Sequence, residues 1–187
     1  MLGLVLAGGK SSRMGQDKGL ISYYGTPQRE YIAGILTKFC TMVYISCRAG
    51  DNATTNFPKL PDRFNIEGPL NGILTAFDEY SDDPWIVVAV DMPFVDEAVI
   101  KDLVIGRDAT KVATCYYDAE GKNPEPLLSI WEPRALPFLT TFHQNGNISP
   151  RDFLKTHDVK IMVAPTKDVH TNINTPNDLS DFIRRKE

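Results

Sequence analysis

Three cations and three glycines share one stretch near the start of the chain, Leu6-Ala7-Gly8-Gly9-Lys10-Ser11-Ser12-Arg13-Met14-Gly15-Gln16-Asp17-Lys18. Gly8, Gly9 and Gly15 have no side chains, so backbone N–H groups there can turn toward an oxyanion and approach it closely. Lys10, Arg13 and Lys18 supply the charge that a polyphosphate needs. The string is not a P-loop, which requires Gly, four residues and then Gly-Lys-Ser/Thr, because Gly15 is followed by Gln16-Asp17. It does not read Gly-x-Gly-x-x-Gly either. A tight strand-to-helix turn with a solvated basic face would account for any two of these residues but not for the whole string.

Asp91-Met92-Pro93 ends the most continuously apolar run in the chain, residues 85–90. A hard carboxylate oxygen at a strand end is what Mg²⁺ requires when it bridges nucleotide phosphates, which makes Asp91 the metal candidate. An aspartate before a proline-containing turn can equally bond neighbouring backbone N–H groups. Gly68-Pro69-Leu70-Asn71-Gly72 precedes a helical pattern. It could let a nucleoside lie against backbone, with Pro69 fixing the entry and Gly72 removing bulk; a packing glycine is the competing reading. Near the C-terminus, Asn172 and Asn174 are spaced to project from one side of an extended segment and offer amide donors and acceptors, ahead of a helix capped by Thr175.

These groups need a scaffold that brings distant segments to one place. Short apolar runs predict strands over 2–6, 42–46, 85–90, 111–117, 127–131 and 159–163. Helical periodicity predicts helices over 29–39, 71–80, 97–105, 133–145, 150–156 and 176–185, with Ser149-Pro150 a cap followed by a proline at the first helical position. The polar stretch 50–56 reads as a surface loop. The alternation predicts a three-layer α/β/α, Rossmann-like arrangement with a mostly parallel sheet, in a single domain spanning 1–187. In such sheets ligands bind beyond the carboxyl ends of strands where strand order reverses, and the opening loop and Asp91 both sit at such ends.

A chain of 187 residues that is 42% hydrophobic can bury a sizeable core without disulfides or metals. With 24 acidic against 20 basic residues it has no general attraction for nucleic acid or anionic membrane, so the phosphate partner is expected to be small. Cys40, Cys47 and Cys115 have no paired spacing and read as reduced core residues. Cys47 in particular has no nearby base to make it a nucleophile. His143, His157 and His170 lack ligand spacing, and Phe138, Leu139 and Phe142 read as core rather than a binding stripe. The apolar start is too short for a signal segment and no stretch is long enough to span a membrane, so a cytoplasmic location is expected.

The string Leu-Ala-Gly-Gly-x-Ser-x-Arg-Met-Gly-x-Asp-Lys at residues 6–18 resembles the signature loop of the molybdenum cofactor guanylyltransferases, within the nucleotidyltransferase superfamily. Asp91-Met92-Pro93, Gly68-Pro69-Leu70-Asn71-Gly72 and Asn172-Ile173-Asn174-Thr175-Pro176 are similar to further segments of that family. The resemblance implies transfer of GMP from GTP to Mo-molybdopterin, with release of pyrophosphate and with Mg²⁺ as cofactor. It implies nucleotide binding by Leu6, Ala7, Gly8, Gly9, Lys18, Asp62, Gly68, Pro69, Leu70, Gly72 and Asp91. Lys18, Arg13 and Asp91 would be catalytic, Asp91 would hold the metal, and Asn172 and Asn174 would bind the molybdopterin. Contacts with other cofactor-biosynthesis proteins or the apo-molybdoenzyme are a further implication.

Relatives that use CTP tend to carry Leu-Ala-Ala-Gly where this chain has Leu6-Ala7-Gly8-Gly9, so the Gly8-Gly9 pair leans toward guanine. The chain departs from many relatives at Cys47-Arg48, where they have Asn before Arg. The alternatives are a CTP-dependent molybdopterin cytidylyltransferase or another small NTP transferase, and then a non-enzymatic nucleotide-binding protein on the same fold.

Overall fold

The computed structural model describes residues 1–8, 18–171, 173 and 178. In chain order the elements are β1 (Leu2–Leu6), α1 (Gln28–Leu36), β2 (Val43–Cys47), β3 (Lys59–Pro61), α2 (Pro69–Glu79), β4 (Trp85–Ala89), α3 (Glu97–Ile105), β5 (Ala113–Tyr117), β6 (Pro124–Trp131), α4 (Leu136–Gln144), α5 (Pro150–Thr156) and β7 (Val159–Met162). Short 3-10 turns occupy Lys18–Leu20, Pro133–Ala135 and Lys167–His170. Among the described residues the strands form one sheet in the order β3-β2-β1-β4-β6-β5-β7.

Both faces of that sheet are covered. Along β1, Leu2, Leu4 and Leu6 pack with α2, α4 and α5 on one face, while Val5 joins α1 and α3 on the other. Along β4 the same alternation sends Trp85, Val87 and Ala89 one way and Ile86 and Val88 the other. Strands buried on both faces read as continuous apolar runs, which is why 2–6 and 85–90 stand out in the sequence.

The sheet is mixed. β1 is parallel to β2 and β4, β2 to β3, and β5 to β7, whereas β6 is antiparallel to both β4 and β5. The chain steps outward from β1 through β2 to β3, then returns to place β4 on the other side of β1. Strand order therefore reverses between β1 and β4, and a crevice is expected at their carboxyl ends.

The expected bounds of β1, α3 and α5 coincide with those observed, and most of the others shift by one to three residues at either end. Asp96 caps α3 by accepting from the Val99 N–H at 2.9 Å, and Ser149 caps α5 by accepting from the Asp152 N–H at 3.2 Å. The span 133–145 is not one helix, since a 3-10 turn precedes α4. β3 was not expected; it is a three-residue edge strand anchored by the buried Leu60, and an edge position tolerates Pro61. Phe138 is half exposed rather than core, resting against His157 with ring centroids 5.6 Å apart, while Leu139 is fully buried. The expected helix over 176–185 and its Thr175 cap lie outside the described residues apart from Asp178.

Candidate active site

A cavity of about 630 Å³ opens where β1 and β4 diverge. Its floor is the end of β1 and the residues beyond it, Leu6, Ala7 and Gly8. The backbone is pinned on both sides: Ala7 N–H donates to the Ser46 carbonyl at 3.0 Å, and Val90 N–H to the Leu6 carbonyl at 3.2 Å.

One wall comes from the start of α2. Gly68 has φ +101°, a left-handed conformation that suits glycine, and hands the chain to Pro69 at the first helical position. Gly68, Pro69 and Gly72 all line the cavity. Gly72 is required by close approach, since a Cβ there would stand 2.5 Å from Ser46 Oγ and 2.6 Å from Leu6 Cδ2. Asn71 ties the preceding loop to the helix, its side chain bonding Phe64 N–H and the carbonyls of Phe64 and Ile66.

Opposed polar groups occupy the two ends. At the β4 end, Asp91 follows the strand and faces Lys18, with Nζ 3.6 Å from Oδ2. Asp91 Oδ1 is buried and has no hydrogen-bond partner among the described residues. Burial pushes the Asp91 carboxyl above its ordinary pKa, and the Lys18 charge opposes that shift. Tyr23 lies close enough to feel both Asp91 and Asp178; burial first, and then those charges, push its phenol up to about 12.

At the β2–β3 end, Asp62 lies just beyond β3, with its N–H donating to the Cys47 carbonyl at 2.8 Å. Ser46 Oγ donates to Asp62 Oδ1 at 3.4 Å. Burial raises the Asp62 carboxyl, against the pull of that hydroxyl and of the Arg48 charge. Arg48 Nε donates to the Gly8 carbonyl at 2.8 Å, locking the start of the glycine loop.

Nine expected residues thus meet at one cavity: Leu6, Ala7, Gly8, Lys18, Asp62, Gly68, Pro69, Gly72 and Asp91. Leu70 does not line it, because its side chain is fully buried in the core under α2. Gly9, Arg13, Asn172 and Asn174 lie outside the described residues. Arg48, from the Cys47-Arg48 pair, and Leu127, which ends the segment 123–127 that also resembles the family, line the cavity as well. Ser46, Ile66 and Glu67 line it without having been singled out; Ser46 was reachable from the sequence because it lies at the end of β2, beside the strand that carries the glycine loop.

Cys47 and Cys115 are buried as expected, whereas Cys40 is only partly buried. Cys47 is buried and burial pushes its thiol up to about 11, the opposite of what a nucleophile needs. The three cysteines are free. Among the described residues there is no group of three or more His, Cys, Asp and Glu that could hold a metal, and no helix is long and apolar enough to cross a membrane.

A lysine facing a buried carboxylate across a glycine-floored crevice can hold a phosphate and a cation together, while a second carboxylate at the far end can read a polar edge. That combination, on a mostly parallel sheet with its ligand crevice at the switch point, defines an α/β nucleotidyltransferase-like fold. The chain belongs to the MobA-like NTP transferase domain family, whose profile matches residues 3–161.

A Synechocystis protein named molybdenum cofactor biosynthesis bifunctional protein is 36% identical over 181 residues, covering 95% of this chain and 52% of that protein. The chain thus spans about half the length of that relative. A Nostoc protein named probable molybdenum cofactor guanylyltransferase is 31% identical over 181 residues, covering 95% of this chain and 87% of the relative. The crystal structure of molybdopterin-guanine dinucleotide biosynthesis protein A from Archaeoglobus fulgidus superposes with a TM-score of 0.82 at 25% identity, covering all of both chains.

Proposed function

We propose that this chain is a molybdenum cofactor guanylyltransferase, which moves GMP from GTP onto the terminal phosphate of Mo-molybdopterin and releases pyrophosphate. The observation that carries this reading is the convergence of Gly8, Lys18, Asp62 and Asp91 on one cavity in a chain of this family. In the reaction a phosphate oxygen of the acceptor forms a bond to the α-phosphorus of GTP, the bond from that phosphorus to the bridging oxygen breaks, and pyrophosphate leaves with the electron pair. The attacking oxygen is already ionised at neutral pH, so no strong base is needed.

Catalysis then rests on alignment and charge neutralisation. Lys18 neutralises the α-phosphate and the departing pyrophosphate, Arg13 clamps the phosphates, and the Gly8-Gly9 backbone accommodates them. Mg²⁺ fits this donor set, since it commonly takes one or two protein carboxylates and completes its shell with phosphate oxygens and water. Asp91 would hold it through the buried Oδ1 that lacks a partner. When bound, it would supply further neutralisation of the phosphates.

Asp62 supports the guanine preference on chemical grounds. The N1–H and 2-amino group of guanine are adjacent donors, which match the two oxygens of a carboxylate; the Watson–Crick edge of cytosine instead offers one donor followed by acceptors. Leu6 and Ala7 would lie beneath the nucleoside and Gly68, Pro69 and Gly72 beside it, while Asn172 and Asn174 would bind the pterin. The reading carries a cytoplasmic setting with it.

The test is incubation of the purified chain with molybdopterin, Mg²⁺ and each NTP in turn, following pyrophosphate. Release with GTP alone supports the reading. Release with CTP alone assigns the chain to the cytidylyltransferase branch, and no release with any NTP leaves nucleotide binding without transfer.

A further inference from the structure

Residues 62–68 run from the end of β3 to the start of α2 in irregular backbone, and four of them, Asp62, Ile66, Glu67 and Gly68, line the cavity. They are held by a row of polar side chains on α2. Asn71, Thr75 and Asp78 are spaced by four and three residues, so they share one face of that helix. The loop lies along this face and is fastened to it at successive residues. Arg63 N–H donates to Thr75 Oγ1 at 3.1 Å, and its guanidinium donates to Asp78 at 2.8 Å and to Glu79. Phe64 N–H donates to Asn71 Oδ1 at 3.1 Å, while Asn71 Nδ2 donates to the Phe64 carbonyl at 2.6 Å and to the Ile66 carbonyl at 2.9 Å.

Asn71 and Thr75 are costly choices for these helix positions. Asn71 is 3% exposed and Thr75 is fully buried, beside Leu70, Ile73, Leu74 and Phe77, which belong to the core. Asparagine and threonine are poorer helix formers than leucine, and their polar groups are expensive to bury unpaired. Here every one of those groups is used, because Thr75 Oγ1 also donates to Asn71 Oδ1 at 3.3 Å and holds the carboxamide from behind. Neither residue lines the cavity. Their hydrogen bonds go to the loop that does.

Asp62 stands where this polar seam meets the sheet. Its N–H donates to the Cys47 carbonyl of β2 at 2.8 Å, and the next N–H, that of Arg63, is the one Thr75 accepts. The carboxylate itself has a looser hold, from Ser46 Oγ at 3.4 Å, so its position is set by the backbone on either side. We infer that Asn71 and Thr75 are positioning residues for base recognition, and that the seam they form keeps the Asp62 carboxylate in register with the edge of guanine. The inference rests on the guanine-reading role proposed for Asp62 and names the side chains that aim it. Lys18 and Asp91 stand at the other end of the cavity. Loosening the seam should therefore blur recognition of the base and leave phosphate binding unchanged.

Equilibrium binding in the presence of Mg²⁺ tests this without turnover. It compares GTP with ITP, which lacks the 2-amino group, and uses pyrophosphate to probe the phosphate end. The parent chain should prefer GTP on the order of tenfold, the scale for losing one hydrogen bond to a charged group. Asn71→Ala and Thr75→Val should each reduce that preference to about threefold or less, with pyrophosphate affinity held within about twofold. Thr75→Ser, which keeps the hydroxyl, should retain the parent's preference. A folded Asn71→Ala or Thr75→Val that discriminates as the parent does overturns the inference; so does a pyrophosphate affinity that falls in step with that for GTP, or failure of serine to rescue. Where Asn71→Ala does not fold, Thr75→Val and Thr75→Ser decide, since valine has nearly the shape of threonine.

Failure of the guanine reading and failure of the seam give different results. A parent chain that binds GTP and ITP equally removes the reading of Asp62, and this inference with it. A parent that prefers GTP, with variants that keep the preference, leaves that reading in place and removes the role of Asn71 and Thr75. Amide exchange reports on the seam itself. The Arg63 and Phe64 N–H groups should be protected in the parent, and that of Arg63 should lose protection in Thr75→Val; exchange at the rate of an open chain in the parent would overturn the seam.

Discussion

Two acids at opposite ends of the sheet, Asp91 and Glu132, are satisfied in opposite ways. At the carboxyl end of β4, Asp91 has one oxygen 3.6 Å from Lys18 and the other buried with no partner among the described residues. At the opposite end, Glu132 directly follows β6 and is the more deeply buried, its side chain 3% exposed against 22% for Asp91, yet both its oxygens are taken. Arg107 Nε donates to one at 2.6 Å and Nη2 to the other at 2.8 Å, a bidentate fork. At the Asp91 end itself, where the antiparallel β6 starts, the buried Glu125 is filled by Arg151 at 2.8 Å and by the Leu127 N–H at 3.0 Å, so the shortfall is particular to Asp91. A buried carboxylate whose lone pairs are occupied holds a fold together, whereas one left short of partners costs stability and is kept for something that binds.

The largest expected effect is on turnover at the undersatisfied end. Lys18→Ala should lose on the order of a hundredfold or more in kcat, the scale for removing one contact to developing transition-state charge, with the melting temperature close to the parent's. Full activity in that variant would remove Lys18 from catalysis. Asp91→Asn should lose its Mg²⁺-dependent turnover to a similar extent and yet melt at a higher temperature than the parent, because burial already disfavours the ionised carboxyl. Unchanged metal dependence would point to a different ligand.

The same acid-to-amide change should act the other way at the opposite end. Glu132→Gln removes the charge from two close hydrogen bonds and should destabilise the fold by about 2 kcal/mol, allowing for the partial exposure of Arg107, with kcat nearly unchanged. Calorimetry on Asp91→Asn and Glu132→Gln side by side would break the contrast if both shifts had one sign.

The smallest effect concerns pH at Asp62. Its carboxyl is raised by burial in the folded chain, so GTP affinity should weaken on the acid side at a pH above that of an ordinary carboxylate. Stability should move in the opposite sense. The ionised form is the costly one, so the penalty is present above the raised pKa and is relieved as pH falls below the unfolded value of about 3.9. Asp62→Asn should remove the acid limb from a GTP-binding titration; an unchanged limb would assign it to another group.

Much of the nucleotide end was legible in the sequence because its signals are local. The apolar runs of β1 and β4, the glycines and the strand-ending Asp91 all follow from composition over a few residues. Strand order was not legible: the antiparallel insertion of β6 depends on pairings of Trp85 with Trp131 and of Ala113 with Trp131, which no local pattern encodes. β3 escaped because three residues ending in proline carry no period. Leu70 was expected to bind because the segment 68–72 resembles a family element, but a helical turn there sends its side chain into the core. Ser46 matters through its distance to Asp62, and that distance exists only once β2 and β3 are paired.

The antiparallel β6 also bears on how the molecule assembles. β5 and β6 join through a short connection and can pair as a hairpin, at small cost in loop closure. The β1–β4 ladder instead sets Leu2 against Trp85, so most of the intervening chain must be gathered before the first rung closes. The crevice proposed to hold the nucleotide lies on that late seam, so on this topology binding competence should be acquired only near the end of folding. A chain stalled before the seam closes would keep its hairpin and have no site.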